Sequence, residues 1–152
     1  MGLVRYIAGL FSPSARRSAE SGDEDPRHRL GREGERLAVR FLRTQQYRVL
    51  YRNFRAPRSG GEVDIVCRDK ATDTLVFVEV KTRRSLAFGA PGEAVTRDKQ
   101  KLIARGALAW LRLLDNPDIP FRFDIVEIIH NGKEPEFNLI KDAFKLPEPY
   151  IY

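Results

Sequence analysis

The sequence predicts an α/β domain whose elements run helix, three strands, helix, strand (αβββαβ), and three observations carry that expectation. Apolar residues recur at helical spacing in two long stretches, 30–46 and 96–114. Short runs rich in Val, Ile and Phe, at 47–53, 61–67, 75–82 and 121–129, have the length and composition of strands. The segment RDKATDT, between the second and third of those runs, is turn-prone and predicts an antiparallel hairpin. A chain of 152 residues suits one such domain with a single core.

Residues 1–29 are expected to form a flexible N-terminal tail and linker, and residues 30–152 the folded domain. Leu3, Ile7 and Leu10 have helical spacing, and residues 12–29 are rich in Ser, Arg and acids without any period. A frayed terminus is the simpler reading, an amphipathic docking segment the alternative. The apolar stretch is short and lacks a small-residue cleavage site, which disfavours a signal peptide. Tyr6 stands where N-terminal acylation wants Ser or Thr.

In the first helix, Leu37, Ala38, Phe41 and Leu42 mark one side, and Arg32, Arg36, Arg40 and Arg43 the other. Glu35 shares a stripe with Gly31, Ala38 and Leu42, so it is expected to lean toward the core side. Glu33 is the alternative acid, and either can be explained by the helix dipole. The first strand leads into a basic loop with Arg55, Pro57, Arg58, Ser59 and Gly60, expected to flank whatever the neighbouring acids bind.

Those acids are the informative feature. Glu62 and Asp64 interrupt the second strand, and Glu79 and Lys81 the third. Side chains alternate along a strand, which puts Glu62 with Asp64 and Glu79 with Lys81, and leaves Val63, Ile65, Val78 and Val80 on the opposite faces. Ionisable groups in a sheet cost stability unless they pair or bind metal. Register decides whether they meet: with Asp64 opposite Glu79 the carboxylates leave one face, and a slip of one residue separates them.

The second helix is expected to be capped by Thr96 and to end near Leu114, before Asn116 and Pro117. Its buried stripe is Ile103, Gly106, Trp110 and Leu113 or Leu114. One turn back lies Lys99, which either looks into the site or lays its stem on apolar surface with its head in solvent. The strand at 121–129 contains Asp124, expected to pair with a nearby arginine. Residues 138–144 read as a short terminal helix or an edge segment, and no internal repeat is present.

Composition narrows the function classes. Lys and Arg number 27 against 21 Asp and Glu, a net charge of +6, which suits a polyanionic partner; the excess is mostly arginine, whose fork matches phosphate and whose abundance is equally explained by the coding composition of the source genome. Cys67 is the one cysteine and reads as a small buried hydrophobe in a reducing cytoplasm. His28 and His130 are isolated, offer no zinc spacing, and read as surface histidines. No apolar stretch approaches the roughly 20 residues needed to span a bilayer. The sequence leaves the oligomeric state open, a homodimer included.

Two carboxylates can hold Mg²⁺, which prefers oxygen ligands and keeps several waters. Asp64, Glu79 and a backbone carbonyl near Val80 would suffice, and Lys81 could position water or neutralise charge on a phosphate under attack. Mn²⁺ suits the same donors. Glu62 and Lys99 are supporting candidates.

An acid on one strand and Glu-x-Lys on the next, behind a helix carrying Glu, resembles the core of the PD-(D/E)xK nuclease superfamily. More closely, the chain resembles the bacterial YraN-like family over roughly 31–145, through GREGERLA at 31–38, GEVDIV at 61–66, VFVEVKTR at 76–83 and FRFDIV at 121–126. The resemblance implies a restriction-endonuclease-like core with a mixed sheet flanked by helices. It implies metal-binding roles for Asp64 and Glu79, the catalytic lysine for Lys81, and the assisting helix carboxylate of some members for Glu35. Val63, not proline, precedes Asp64, which leaves the ligand itself unchanged. The resemblance implies nuclease competence without naming a substrate. Mg²⁺-dependent cleavage of DNA is the leading expectation, branched or damaged DNA being suggested by a more distant likeness to archaeal Holliday-junction resolvases. The alternatives are a noncatalytic nucleic-acid-binding module and an adaptor docking through its N-terminal segment.

Overall fold

Asp25 starts the first helix: its Oδ1 accepts the Arg27 N–H at 2.9 Å, and Pro26 occupies the first helical position with its φ already set. Helix α1 therefore spans Pro26–Thr44 and begins four residues before the expected Leu30. In the computed structural model, residues 25–84, 95–132 and 134–152 are described. Of the tail expected over 1–29, residues 1–24 lie outside the described residues, as does the loop containing Gly89, Pro91 and Gly92, while residues 26–29 are helical.

Strands β1 (Tyr47–Arg55), β2 (Glu62–Asp69) and β3 (Thr74–Arg83) follow, then helix α2 (Arg97–Leu113), β4 (Phe121–Ile129) and β5 (Glu136–Phe144). The αβββαβ order holds, with β5 added as an edge strand where the sequence left helix or edge open. The five strands form one mixed sheet in the order β1-β2-β3-β4-β5. Only β3 and β4 pair in parallel, and α2 makes the crossover that such a connection requires. No helix among the described residues is long and apolar enough to cross a membrane.

The helices cover opposite faces. Ala38, Leu42, Ile65, Val76, Val78, Val126 and Ile128 form the core under α1, and Val63, Val66, Phe77, Trp110, Phe123 and Ile125 the core under α2. Thr96 caps α2 by accepting the Lys99 N–H, as expected. The buried stripe runs through Ile103, Gly106, Trp110 and Leu114, whereas Leu113 is 48% exposed.

Two close approaches set the helices against the sheet. A Cβ on Gly34 would lie 2.2 Å from Thr82 Oγ1, so α1 reaches β3 here only because this residue is glycine. A Cβ on Gly61 would lie 2.2 Å from the Gly106 backbone nitrogen, which brings α2 down onto the start of β2. Both approaches crowd the helices toward the end of the sheet that carries the strand acids.

At the turn end of the β2–β3 hairpin a polar cluster is buried instead. Arg122 donates to Asp69 Oδ2 at 2.8 Å, to Asp124 Oδ1 at 2.9 Å and to the Tyr47 hydroxyl at 2.9 Å, and Tyr47 donates to Asp124 Oδ2 at 2.9 Å. The expected pairing of Asp124 with an arginine is thus made. Burial pushes the Asp69 carboxyl upward, but Arg122, the Ala71 N–H and Lys141 outweigh it and hold it below its ordinary range. Arg122→Ala would leave Asp124, 0% exposed, without its arginine and Asp69, 1% exposed, with only the more distant Lys141 at 3.7 Å. The expected cost is about 3 kcal/mol, read as a lower urea midpoint at unchanged m-value.

Cys67 is buried, and burial with the Asp124 charge raises its thiol pKa. His28 is exposed as expected. His130 departs from the surface reading: it is half-buried, with Nε2 enclosed and no hydrogen-bond partner among the described residues, because β4 carries it to the sheet end against Arg83.

Candidate active site

The β2–β3 ladder runs from Asp69 opposite Thr74 to Ile65 opposite Val78, and there it stops. Continued by one step, the same register sets Asp64 across from Glu79. Instead of a further backbone bond, Asp64 Oδ2 accepts the Val80 N–H at 2.8 Å. The strands part at this point, and the Asp64 side chain fills the seam between them. Glu79 keeps its place because β3 stays paired with β4, with Glu79 beside Ile125 and Lys81 beside Glu127.

This seam overturns one detail of the strand pattern. Simple alternation puts Val63 and Ile65 on one face, yet Val63 packs under α2 and Ile65 under α1. The period of two breaks across Asp64, where β2 leaves its neighbour and the carboxylate turns into the gap. In β3 the alternation is intact: Leu75 and Phe77 face α2, so Glu79 and Lys81 follow on that side.

Glu79 is the centre of the cluster. It is 3% exposed, its carboxylate contacts that of Asp64, and its Oε2 is buried with no hydrogen-bond partner among the described residues. Lys81 Nζ and Lys99 Nζ each lie 3.5 Å from Oε1. Burial and the adjacent Asp64 charge push the Glu79 carboxyl up to about 8 against the pull of Lys99 and Lys81. An acid so placed is uncomfortable as an anion unless additional positive charge arrives.

Lys99 looks into the site rather than lying along the surface. Burial works against its charge, but hydrogen bonding to Glu62 and attraction to Glu79 and Asp64 outweigh that and raise its pKa. Glu62 is salt-bridged to Lys99, so it acts on the carboxylate pair through that lysine. Glu35 arrives from α1, half-buried, with its carboxyl raised by burial and by Asp64 against the opposing hydrogen bond of Asn53 and the charges of Arg52 and Arg55. Glu33 is exposed on the same helix.

All six side chains singled out in the sequence therefore lie at one end of the sheet: Asp64 and Glu79 in contact, Lys81, Lys99 and Glu62 around Glu79, and Glu35 on the flank of Asp64. Two partners were not anticipated. Asn53 adopts φ +54°, a conformation asparagine tolerates better than most residues, and meets Glu35. Glu127, 1% exposed beside Lys81, holds Arg83 at 3.5 Å and accepts from Asn138 at 3.1 Å. An acid interrupting the strand FRFDIVEII was the available signal for Glu127; nothing local announced Asn53. Among the described residues no group of three or more His, Cys, Asp or Glu side chains is gathered tightly enough to hold a metal by itself. The close carboxyl donors are the pair Asp64 and Glu79.

Comparison with known proteins adds the lineage of this arrangement. The sequence model of uncharacterised protein family UPF0102 matches residues 34–128, a span that holds every site residue named above. A UPF0102 protein of Geobacter metallireducens is 47% identical over 117 residues, covering 77% of this chain and 93% of that relative. One of Geotalea uraniireducens is 46% identical over 127 residues, covering 83% and 97%. One of Caldicellulosiruptor saccharolyticus is 46% identical over 117 residues, covering 76% and 96%. Glu35 and the rest of its helix from Gly34 on, the hairpin with Asp64, Glu79 and Lys81, and β4 up to Ile128 fall inside the matched span, and the chain belongs to the UPF0102 family.

Proposed function

We propose that this chain is a metal-dependent phosphodiesterase of the PD-(D/E)xK type that cuts DNA, branched or damaged DNA in particular, in the cytoplasm. The observation that carries the reading is Glu79: a nearly inaccessible carboxyl pressed against Asp64, with one oxygen lacking a hydrogen bond. A carboxyl buried against a second carboxyl, with one oxygen unpaired, is costly to ionise unless a cation joins it. The vacant oxygen and the facing carboxylate fit a hard divalent cation, Mg²⁺ or Mn²⁺, whose remaining positions are taken by water and substrate.

Asp64 and Glu79 would hold that ion, which supplies Lewis acidity toward a phosphate oxygen and makes a water more acidic. The Val80 N–H fixes the orientation of Asp64. Lys81 reaches Glu79 with its head still partly open to solvent, so its ammonium can donate to an incoming water or a nonbridging phosphate oxygen. Lys99, kept charged by Glu62, places a second positive charge at the same carboxylate. Glu35, with its raised carboxyl, is available to carry a proton at the edge of the site. Water adds to phosphorus as the bond to the leaving oxygen breaks, and the displaced proton ends on that oxygen.

The test incubates the full chain with linear, nicked and four-way-junction DNA in Mg²⁺ or Mn²⁺, and then in chelator. Lys81→Ala is expected to slow cleavage by about 10²-fold, the cost of losing one donor to developing charge, while leaving DNA binding within twofold. Cleavage that persists in chelator would contradict the proposal. So would binding without cutting on every substrate, the behaviour of a noncatalytic binding module.

A further inference from the structure

On the α2 side of β1 runs a groove of about 810 Å³ that the site chemistry does not use. Arg55, Arg58 and Arg112 line it together with Tyr51, Asn53 and Leu113. All three arginines are exposed, and among the described residues none is salt-bridged to an acid. Arg105, on the same stripe of α2 as Ala109 and Arg112, has a buried Nε without a hydrogen-bond partner among the described residues. Three arginines and, among the described residues, no acid thus line the groove.

The groove adjoins the site through Glu35. Asn53 lines the groove and hydrogen-bonds Glu35, and Arg55 lines it while acting electrostatically on Glu35, which in turn feels Asp64. The walls are not only basic: Tyr51 is half-buried against Phe54 and Trp110, and Leu113 is 48% exposed at the rim. Guanidinium groups matched to phosphates beside an aromatic and apolar wall form the usual arrangement for an unpaired nucleic-acid strand. The space is that of a small-ligand cleft, on the scale of the bases and phosphates of one strand.

The geometry points to this groove as a binding track for a single-stranded DNA segment next to the scissile phosphate. The inference rests on the phosphodiesterase reading for its direction, since it is the carboxylate site that the track approaches. It narrows the substrate to DNA with an unpaired strand running into the cut.

The test measures anisotropy of a fluorescein-labelled oligothymidylate titrated with the full chain in chelator, so that no cutting intervenes. Arg58→Glu with Arg112→Glu is expected to weaken binding by at least about tenfold and to lower the salt slope by roughly 0.7 per arginine. Arg40→Glu with Arg43→Glu, an equal charge change on the outer face of α1, is expected to weaken it by less than about twofold. Should the reversal pair lower the thermal midpoint, Arg58→Gln with Arg112→Gln gives the same ordering at about threefold. Blunt duplex of the same length is expected to lose less affinity than the single strand. Equal losses from the two reversal pairs, or a duplex loss matching the single-strand loss, would overturn the proposal. Failure to cut DNA in Mg²⁺ would instead strike the phosphodiesterase reading and leave these titrations to stand by themselves.

Discussion

Asp64→Ala and Glu79→Ala are each expected to lower the rate of Mg²⁺-dependent DNA cleavage by about 10³-fold, a loss of about 4 kcal/mol in transition-state stabilisation. The size follows from how few donors are available. The two carboxylates are the close carboxyl pair at the open end of the hairpin, so either substitution would remove half of the proposed side-chain ligands. Asp64→Ala also removes the acceptor of the Val80 N–H, which loosens the seam that orients Glu79. The double substitution should cost little more than either single one, because the carboxylates act as a unit. Initial rates on junction DNA at saturating Mg²⁺ check this; activity within tenfold of the parent in either variant would place the chemistry elsewhere.

The second large effect is on stability. In the unfolded chain the Glu79 carboxyl titrates near 4.5, and in the folded chain near 8. Between those values the folded protein keeps a proton that the unfolded chain has released, so folding takes up a proton and stability falls as pH rises. Glu79's favourable contribution is fully present below the unfolded value and is gone above the folded one. The expected loss between pH 5 and 9 in chelator is about 4 kcal/mol, measured by urea unfolding and taken as the difference from Glu79→Gln. Glu79→Gln carries no titrating proton and should flatten the profile. Added Mn²⁺ should restore stability at the alkaline end, since a cation takes the place of the lost proton. Parallel profiles for the parent and Glu79→Gln would remove Glu79 as the strained group.

The parts of the fold legible in the sequence were those decided locally. Thr96 announces α2, and the apolar period of α2 identifies Trp110 and Leu114 correctly while leaving Leu113 ambiguous, because both fall within one turn of the stripe. The start of α1 is not legible because residues 12–29 carry no apolar period, so Asp25 and Pro26 stand out as cap and first turn only once the helix is seen. Residues 138–144 carry mixed periodicity, and pairing with β4 decides for strand.

Within the site, residue types were readable and geometry was not. Asp64, Glu79 and Lys81 stand out because charge interrupts strands, yet their meeting depends on a register that only the assembled hairpin sets. The break in alternation at Asp64 is invisible in GEVDIV, since it arises where β2 leaves β3. Lys99 could not be assigned between site and solvent until the approach of Gly61 to Gly106 fixed the height of α2. The arginine groove joins β1, the following loop and α2, segments about fifty residues apart, so no local pattern could reveal it.

The central claim is that Asp64 and Glu79 together form one cation site. Mn²⁺ titration of the full chain, followed by the loss of the free-ion electron paramagnetic resonance signal, tests it most directly. One ion per chain is expected, bound more tightly at pH 8.5 than at pH 6, with binding lost in Asp64→Ala and in Glu79→Gln and retained in Glu62→Gln. Binding that survives both carboxylate substitutions, or that disappears with Glu62→Gln alone, would contradict it.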